Sequence, residues 1–353
     1  MQGRAVLPLA LVAALAFGSS ANPQPAPPSI PSASSRPGAD SPLDLALTRL
    51  AAQDARVATV AYRLAVANVG LCRDTAPQLG MVVHSVLQYS PRLRAAVRRT
   101  FDIDDRPAVL GVVPGGPAAQ AGLRANDILI AVNGQAVAAG SADQAGLNTD
   151  APQSYREVQQ ALSMLQIALR QGPARVKVQR GASELDVILS PVSGCGYDTQ
   201  LMPSDALNAA ADGQHIFIDT AFVSYAASDN DLALILGHEL AHDVMHHRER
   251  LDRQGFAREL IGNLGSSRES LISVEYEADY VGLYLTARAG YDISGAGSFW
   301  RKLARDHGDP WYDHWDHPSA IARARALDAT GQEIAAKIRA GAPLVPNVRS
   351  AGG

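Results

Sequence analysis

The first periodic stretch of the chain lies between residues 43 and 69. Apolar side chains recur there every three or four positions, at Leu43, Leu47, Leu50, Val57, Val60 and Leu64. This spacing matches the 3.6-residue turn of a helix, so it predicts one long helix or two shorter ones that end near Gly70.

Short runs of β-branched residues, separated by glycine and proline, follow from about Ala76 to Pro191. They predict strands near residues 108–113, 127–132, 176–178 and 185–189. Asn133-Gly134 predicts a tight turn between two apolar runs. Residues 153–170 predict an amphipathic helix, since one face carries Val158, Leu162, Leu165 and Leu169.

The chain from Gly196 to about Ala340 has a mainly helical pattern. Its single β-type run is His215-Ile216-Phe217-Ile218. Helical patterns lie near residues 229–247, 267–289 and 294–305, and a last one starts after Pro318. Together with the preceding strands, this pattern predicts an α+β protein.

The composition is that of a globular protein, with 47% hydrophobic and 19% charged residues in a chain of 353. This length suggests two domains. The net charge of -4 and the lack of a Lys/Arg run give no indication of a nucleic-acid partner.

The first residues carry a targeting pattern. Arg4 precedes an apolar run, residues 5–18, and Ser19-Ser20-Ala21 offers small residues for cleavage. The run is short for a membrane span, which favours a cleaved signal peptide over an uncleaved anchor. We therefore expect an exported protein, periplasmic or secreted, without an integral membrane segment after signal cleavage.

The candidate chemistry centres on His238-Glu239-Leu240-Ala241-His242. Four residues make just over one helical turn, so both imidazoles project from one face and can hold one Zn²⁺. Glu239 lies beside them and can take a proton from an attacking water as general base. The alternative is a satisfied polar cluster in an apolar helix.

A catalytic zinc site needs a third protein ligand. The position six residues after His242 is Arg248, which excludes a third histidine there. Glu275 on the next helix is the better candidate, and Asp279 on the same face can hydrogen-bond a zinc-bound histidine. Glu277 is expected to be a surface carboxylate, and His246 and His247 to be structural or solvent-facing.

Residues 76–192 resemble a PDZ domain of the kind attached to bacterial proteases. The resemblance is carried by residues 113–129, Val-Pro-Gly-Gly-Pro-Ala-Ala-Gln-Ala-Gly-Leu-Arg-Ala-Asn-Asp-Ile-Leu, followed by Val132-Asn133-Gly134. The family usually has Gly-Asp where this chain has Asn126-Asp127, and Asn tolerates the same left-handed backbone. The resemblance implies a β-barrel-like domain that binds extended peptides by strand addition, with Leu79, Gly80, Met81 and Val82 as the candidate peptide loop. The alternative is a PDZ fold that only gates or spaces its neighbour.

The C-terminal part resembles the zinc peptidase family of the HtpX heat-shock protease and the CAAX prenyl endopeptidases (peptidase family M-48). The matching stretches are residues 208–218, 236–242, 275–282, and His317-Pro318 with Arg323. The resemblance implies a mainly helical zincin-type (gluzincin) catalytic domain, with one Zn²⁺ per chain on His238, His242 and Glu275 and with Glu239 as general base. It also implies that Ile216, Phe217 and Ile218 form an edge strand along which a polypeptide substrate lies extended.

His317 and Arg323 are further candidates from the same resemblance. His317 is expected near the metal, where it stabilises the oxyanion or occupies the open zinc position as a removable plug; otherwise it is an ordinary loop histidine. Arg323 can orient His317 or a nearby carboxylate.

These patterns divide the chain into a signal peptide (1–21), a Pro/Ser-rich linker (22–42), an N-terminal helical segment (43–75), a PDZ domain (76–192), a zinc peptidase domain (193–340) and a flexible tail (341–353). Cys72 and Cys195 flank the inserted or preceding PDZ domain. Since the ends of an inserted domain lie close together, we expect a disulfide that pins the insertion at its base.

The favoured function is a zinc-dependent metalloendopeptidase that acts in protein quality control on exported or misfolded proteins, with the PDZ domain selecting or gating substrate. The alternatives are a non-catalytic PDZ adaptor with a relict zinc site and a zinc hydrolase with a non-peptide substrate. A relict site has no need for Glu239, which argues against the adaptor.

Overall fold

The fold is given by a computed structural model that describes residues 41–140, 154–253, 265–308 and 318–347, without the side chains of 265–269. The expected signal peptide, nearly all of the linker, and His317 lie outside the described residues. The helices are α1 (Pro42–Ala67), α2 (Pro91–Phe101), α3 (Pro117–Gln120), α4 (Arg156–Arg170), α5 (Thr220–Tyr225), α6 (Asp229–Val244), α7 (His247–Arg253), α8 (Gly265–Arg288), α9 (Ala296–His307) and α10 (Ala320–Arg339).

The strands alternate with these helices in the first two thirds of the chain. They are β1 (Thr75–Gln78), β2 (Met81–His84), β3 (Ala108–Val112), β4 (Ile128–Val132), β5 (Gln135–Ala136), β6 (Ala174–Arg180), β7 (Ser183–Leu189), β8 (Val192–Cys195), β9 (Asp198–Met202), β10 (Ala209–Ala211) and β11 (His215–Asp219). The predicted α+β class is confirmed.

Helix α1 is a single helix of 26 residues, which decides between the two alternatives left by the sequence. Ser41 caps its N-terminus in a capping box with Asp44, and Pro42 occupies the first turn. Its N-terminal half packs Leu47 against the PDZ-side cluster of Val86, Phe101 and Leu110. Its C-terminal half packs Val57, Val60 and Leu64 into the core of the helical part. One helix therefore contributes to the cores of both parts of the chain.

The PDZ part is built on a six-stranded sheet in the order β2-β3-β4-β6-β7, with β5 paired to β4. Asn126 has a φ of 70°, so it adopts the left-handed backbone expected of it. Asn133 and Gly134 have φ of 49° and 82°, which makes the predicted tight turn between β4 and β5.

Strands β1 and β8 form a separate two-stranded ribbon at the base of the PDZ part. Thr75 pairs with Cys195 in this ribbon, and the Gln78 side chain donates to the Cys195 carbonyl at 2.8 Å. Cys72 and Cys195 form a disulfide, with their Cα atoms 5.5 Å apart. The predicted disulfide is confirmed, and it links the chain just before β1 to the end of β8.

A three-stranded sheet in the order β10-β11-β9 packs against α1 and α6. Strand β11 pairs antiparallel with β10 and parallel with β9. The expectation that Ile216, Phe217 and Ile218 form an edge strand is therefore wrong, because a strand hydrogen-bonded on both sides has no free edge. The sequence did not indicate β9 or β10, and the three alanines of β10 have a low β propensity.

The helical part packs α6, α8, α9 and α10 together, with large buried side chains that include Leu236, Tyr284 and Leu303. Residues 342–347 follow α10 without regular structure. They are held by hydrogen bonds from Arg288 to the Leu344 carbonyl and from the Asn347 amide to the Tyr280 hydroxyl. Across the described residues, every helix is too short or too polar to cross a membrane.

Candidate metal centre

Helix α6 carries the first part of the site into the core. Ser228 caps it in a capping box with Asp231, so the first turn is fixed by sequence. Residues 232–241 of this helix are all buried. His238 and Glu239 are 8% and 9% exposed, in surroundings where an unpartnered polar group is costly.

Three side chains from α6 and α8 converge on one point. The Nε2 atoms of His238 and His242 lie 3.2 Å apart. The Glu275 carboxylate lies 3.4 Å from each of these two atoms. A ligand atom from each residue can be chosen so that all three lie within 4.8 Å of one another.

These separations are similar to those between ligands on one face of a metal tetrahedron, with the two 3.4 Å distances reaching different oxygens of Glu275. Metal–ligand distances of about 2.0–2.1 Å place tetrahedral ligands about 3.3–3.4 Å apart. Two imidazole nitrogens and a carboxylate are also the donor set of known catalytic zinc sites with a His₂Glu ligand group. The arrangement therefore fits a four-coordinate cation with one position left for water or substrate.

The Nδ1 side of the His238 ring contacts a buried ion pair formed by Asp279 and Arg323. Its Nδ1 lies 3.0 Å from Asp279 Oδ1. Arg323 donates to both oxygens of Asp279, at 2.8 and 2.6 Å, and its guanidinium lies 3.7 Å from the centroid of the Trp300 ring. The sequence predicted that Arg323 orients either His317 or a nearby carboxylate. The structure shows the carboxylate of Asp279 as its partner, and His317 lies outside the described residues.

The charges of Asp279 and Arg323 help to shift the pKa values of the groups at the site. Burial acts to raise the pKa of Asp279, but Arg323 and His238 outweigh it and lower that pKa to about 2. Burial and Arg323 act to lower the pKa of His238, but hydrogen bonds to Asp279 and Glu275 outweigh them and raise it to about 9. Burial lowers the pKa of His242 to about 3. The metal-free protein thus holds a proton on His238 but not on His242 at neutral pH.

The structure gives two residues named from the sequence, His247 and Glu277, contacts that the sequence did not indicate. His247 is 1% exposed, so the solvent-facing alternative is wrong for it. Its Nδ1 lies 3.0 Å from His242 Nδ1, and its Nε2 lies 3.1 Å from Glu277. Glu277, expected at the surface, is mostly buried and also accepts from Arg250 at 2.7 Å. Helical periodicity could not reveal these contacts, because α6 ends between His242 and His247.

Comparison with known proteins finds a similar family for each part of the chain. The family model described as Peptidase family M48 matches residues 169–262, and a PDZ domain model matches residues 109–147. Residues 169–262 are therefore similar to M48 peptidases, and residues 109–147 are similar to PDZ domains. The predicted family is confirmed. The M48 match includes His238, Glu239 and His242 but ends before Glu275, and the PDZ match begins after the candidate loop at Leu79.

The curated relatives that this chain matches are metalloendopeptidases, the class predicted from sequence. The mitochondrial metalloendopeptidase OMA1 of Arabidopsis thaliana is 26% identical over 173 residues, which are 43% of this chain and 35% of that protein. The mitochondrial metalloendopeptidase OMA1 of Bos taurus is 27% identical over 181 residues, 42% of this chain and 33% of that protein. The chain thus spans about a third of the length of these relatives.

The mitochondrial names of these relatives contradict the expectation of a periplasmic or secreted protein, which is wrong. A short apolar run behind a basic residue indicates targeting but does not specify the compartment. Among solved structures, the HtrA3 PDZ domain bound to a phage-derived ligand is 19% identical and covers 34% of this chain and 88% of its own, at a TM-score of 0.23. That score is too low to support an argument beyond the PDZ family match.

Proposed function

We propose that this protein is a zinc-dependent metalloendopeptidase that hydrolyses peptide bonds in unfolded polypeptides. The observation that carries the proposal is the convergence of His238, His242 and Glu275. The two Nε2 atoms lie 3.2 Å apart, and each lies 3.4 Å from one of the two oxygens of Glu275, which suits a tetrahedral Zn²⁺. When bound, Zn²⁺ polarises water and the substrate carbonyl. Proton transfer and the orientation of the metal ligands are carried out by side chains of the protein.

Glu239 is the general base of this proposal. It directly follows His238 on α6 and is 9% exposed, which supports a role for its carboxylate in a mostly water-excluded position. Its carboxylate takes the proton of the attacking water and delivers it to the leaving amine. Asp279 fixes the Nδ1–H tautomer of His238 through its 3.0 Å contact, which leaves Nε2 as the ligand atom.

The substrate strand of the proposal is β10. It is at one edge of the three-stranded sheet and packs against α6. The Asp212 amide donates to the His215 carbonyl and the Asp219 amide to the Asn208 carbonyl, so even-numbered positions bond to β11. Ala209 and Ala211 therefore direct their N–H and C=O groups to the edge that no described strand covers, where an extended polypeptide can add as a further strand.

The active-site helix also fixes the hairpin that presents this edge. Asp243 on α6 is 1% exposed, and its Oδ1 accepts from the Gly213 amide at 2.8 Å. Gly213, with a φ of 96°, lies in the turn between β10 and β11. This hydrogen bond ties the edge strand to the helix that bears His238, His242 and Glu239.

The PDZ part is proposed to bind a peptide segment of the substrate. Strand β2 lies at the edge of the six-stranded sheet. Of the candidate loop, Met81 and Val82 are the first two residues of this strand, and Leu79 and Gly80 directly precede it. Gly80 has a φ of 65°, and a Cβ there would lie 2.9 Å from Pro117 Cδ, so the loop backbone depends on glycine. Because α1 packs into both cores, the PDZ part is held against the peptidase part.

Cleavage of denatured casein by the zinc-loaded full chain tests this function. We expect cleavage that a chelator abolishes, and a loss of about 10²–10⁴-fold in the Glu239→Gln variant, which should keep its zinc. Equal cleavage by Glu239→Gln would contradict the base role. A zinc-loaded protein that binds polypeptides without cutting them would instead favour the PDZ adaptor.

A further inference from the structure

The metal ligand His242 contacts a chain of hydrogen-bonding groups that starts at the buried His247 and continues to the partly buried Glu277 and Arg250. His242 Nδ1 lies 3.0 Å from His247 Nδ1, with the two rings nearly perpendicular at 82°. His247 Nε2 lies 3.1 Å from Glu277 Oε2, and Arg250 donates to the same oxygen at 2.7 Å. His247 is 1% exposed, so this geometry is held by packing and not by solvent.

The geometry points to His247 and Glu277 as positioning residues that fix His242 in its metal-binding tautomer. This inference rests on the metal site of the proposed function but not on the reaction performed there. His247 is thus assigned a specific role in metal affinity, beyond filling space in the core.

The direction of each hydrogen bond follows from the position of the metal site. His242 Nε2 faces His238 Nε2 and the Glu275 carboxylate, so its lone pair must point to the ion. The ring proton is then on Nδ1 and is donated to His247 Nδ1. His247 consequently carries its own proton on Nε2 and donates it to Glu277, which also accepts from Arg250. Every donor in this chain meets an acceptor.

The two histidine ligands are therefore supported differently. His238 contacts the carboxylate of Asp279 directly at 3.0 Å. His242 reaches the carboxylate of Glu277 only through the neutral ring of His247. A direct carboxylate contact increases ligand basicity more than a neutral imidazole does, so the main effect of His247 is orientation and choice of tautomer.

The local chain path explains how His247 reaches this position. Helix α6 ends at Val244, and His246 has a φ of 51°, which only a minority of non-glycine residues adopt. This residue reverses the chain, and α7 begins at His247 directly beside the His242 ring. Arg250, one turn into α7, then contacts Glu277 on α8.

The zinc affinity of the full chain, measured by competition with a chromophoric chelator, tests the inference. We expect His247→Ala to lower the affinity about 10–100-fold. His247→Asn should recover part of the loss, because its side-chain oxygen can still accept from His242 Nδ1. Glu277→Gln should lose less than His247→Ala, since it keeps an oxygen acceptor. His246→Asn is the matched control, which keeps a residue that tolerates positive φ and should bind zinc as the unmutated chain does.

Two further readouts separate orientation from general loss of structure. Circular dichroism checks that each variant is folded; if His247→Ala is not, His247→Asn and Glu277→Gln decide the question. Nitrogen-15 spectra of the zinc-loaded unmutated protein should show His242 as the Nδ1–H tautomer and His247 as the Nε2–H tautomer. A His247 proton on Nδ1 would overturn the inference, as would unmutated zinc affinity in a folded His247→Ala protein.

The outcome is separable from that of the proposed function. If the unmutated chain binds zinc, loses affinity in the His247 variants and cuts no polypeptide, the positioning role stands and the peptidase function fails. If the unmutated chain binds no zinc, the positioning role fails as well. If the unmutated chain cuts polypeptides but His247→Ala has unchanged zinc affinity, the proposed function is supported and this inference is overturned.

Discussion

Gly237 of α6 and Gly282 of α8 bring the two helices into backbone contact directly beside His238. A Cβ at Gly282 would lie 2.8 Å from the Gly237 carbonyl oxygen and 2.8 Å from the His238 Cα. Thr286 adds a hydrogen bond from its hydroxyl to the Ala233 carbonyl at 3.0 Å. This close approach sets the distance between the two histidines on α6 and Glu275 on α8.

Gly282→Ala is therefore expected to push α8 away from α6 and to weaken zinc binding at least about tenfold. Overpacking of this kind costs about 1–3 kcal/mol of unfolding free energy. Chelator competition and denaturant unfolding measure the two effects.

The matched control for this helix contact is Gly331→Ala. Gly331 lies within α10, and a Cβ there would meet no atom within 4 Å. This change should stabilise the protein by about 0.5–1 kcal/mol and leave zinc binding unaltered. A Gly282→Ala protein with unmutated stability and zinc affinity would show that the glycine contact does not set the ligand geometry.

Arg323→Ala should be more damaging than removal of both members of its ion pair. Arg323 and Asp279 are 3% and 4% exposed, and truncation of Arg323 leaves a buried carboxylate without its main partner. Breaking a buried pair in this way costs about 3–5 kcal/mol. The Arg323→Ala/Asp279→Asn double variant should recover part of that cost in denaturant unfolding, and strictly additive losses would contradict the coupling.

Zinc binding should release about one proton at pH 7.5. Since the pKa of His238 is raised to about 9, the metal-free protein is protonated there below that pH, and the ion must displace this proton. His242, with a pKa of about 3, is already neutral and adds none. Zinc affinity should therefore rise with pH between 7 and 9 and level off above. Calorimetry in buffers of different ionisation enthalpy counts the protons, and zero release would be incompatible with a protonated His238.

Ala211→Pro should impair cleavage of long polypeptides without loss of zinc. Ala211 lies in β10 opposite Ile216, at a position whose N–H points away from β11. Proline removes that N–H and spares the ladder to β11. We expect kcat/KM on denatured casein to fall about tenfold, with zinc content as the internal control. Unchanged cleavage would show that substrate does not add to this edge.

The sequence predicted the parts of the site that helical periodicity determines. The four-residue spacing of His238 and His242 and that of Glu275 and Asp279 each fix a common helix face, and the structure brings these faces together. Periodicity does not extend past the end of a helix, so His247, placed by the left-handed backbone of His246, was not foreseen.

The prediction that Ile216, Phe217 and Ile218 form the substrate-binding edge strand was wrong for a different reason. The run at Ile216 has the alternation and branched residues of a strand, but its position within a sheet depends on its neighbours. Strand β10 consists of alanines and β9 carries mixed polar residues, so neither had a strand signal. Pairing on both sides of β11 could be seen only from the tertiary structure.

The central claim is tested most directly by the zinc content of the purified, zinc-reloaded protein, measured by atomic emission beside the Glu275→Ala variant. The account predicts near-stoichiometric zinc in the unmutated chain and a sharp fall in the variant, because Glu275 supplies the third corner of the ligand triangle. Absence of zinc from the unmutated chain would contradict it, as would equal zinc content in the two proteins.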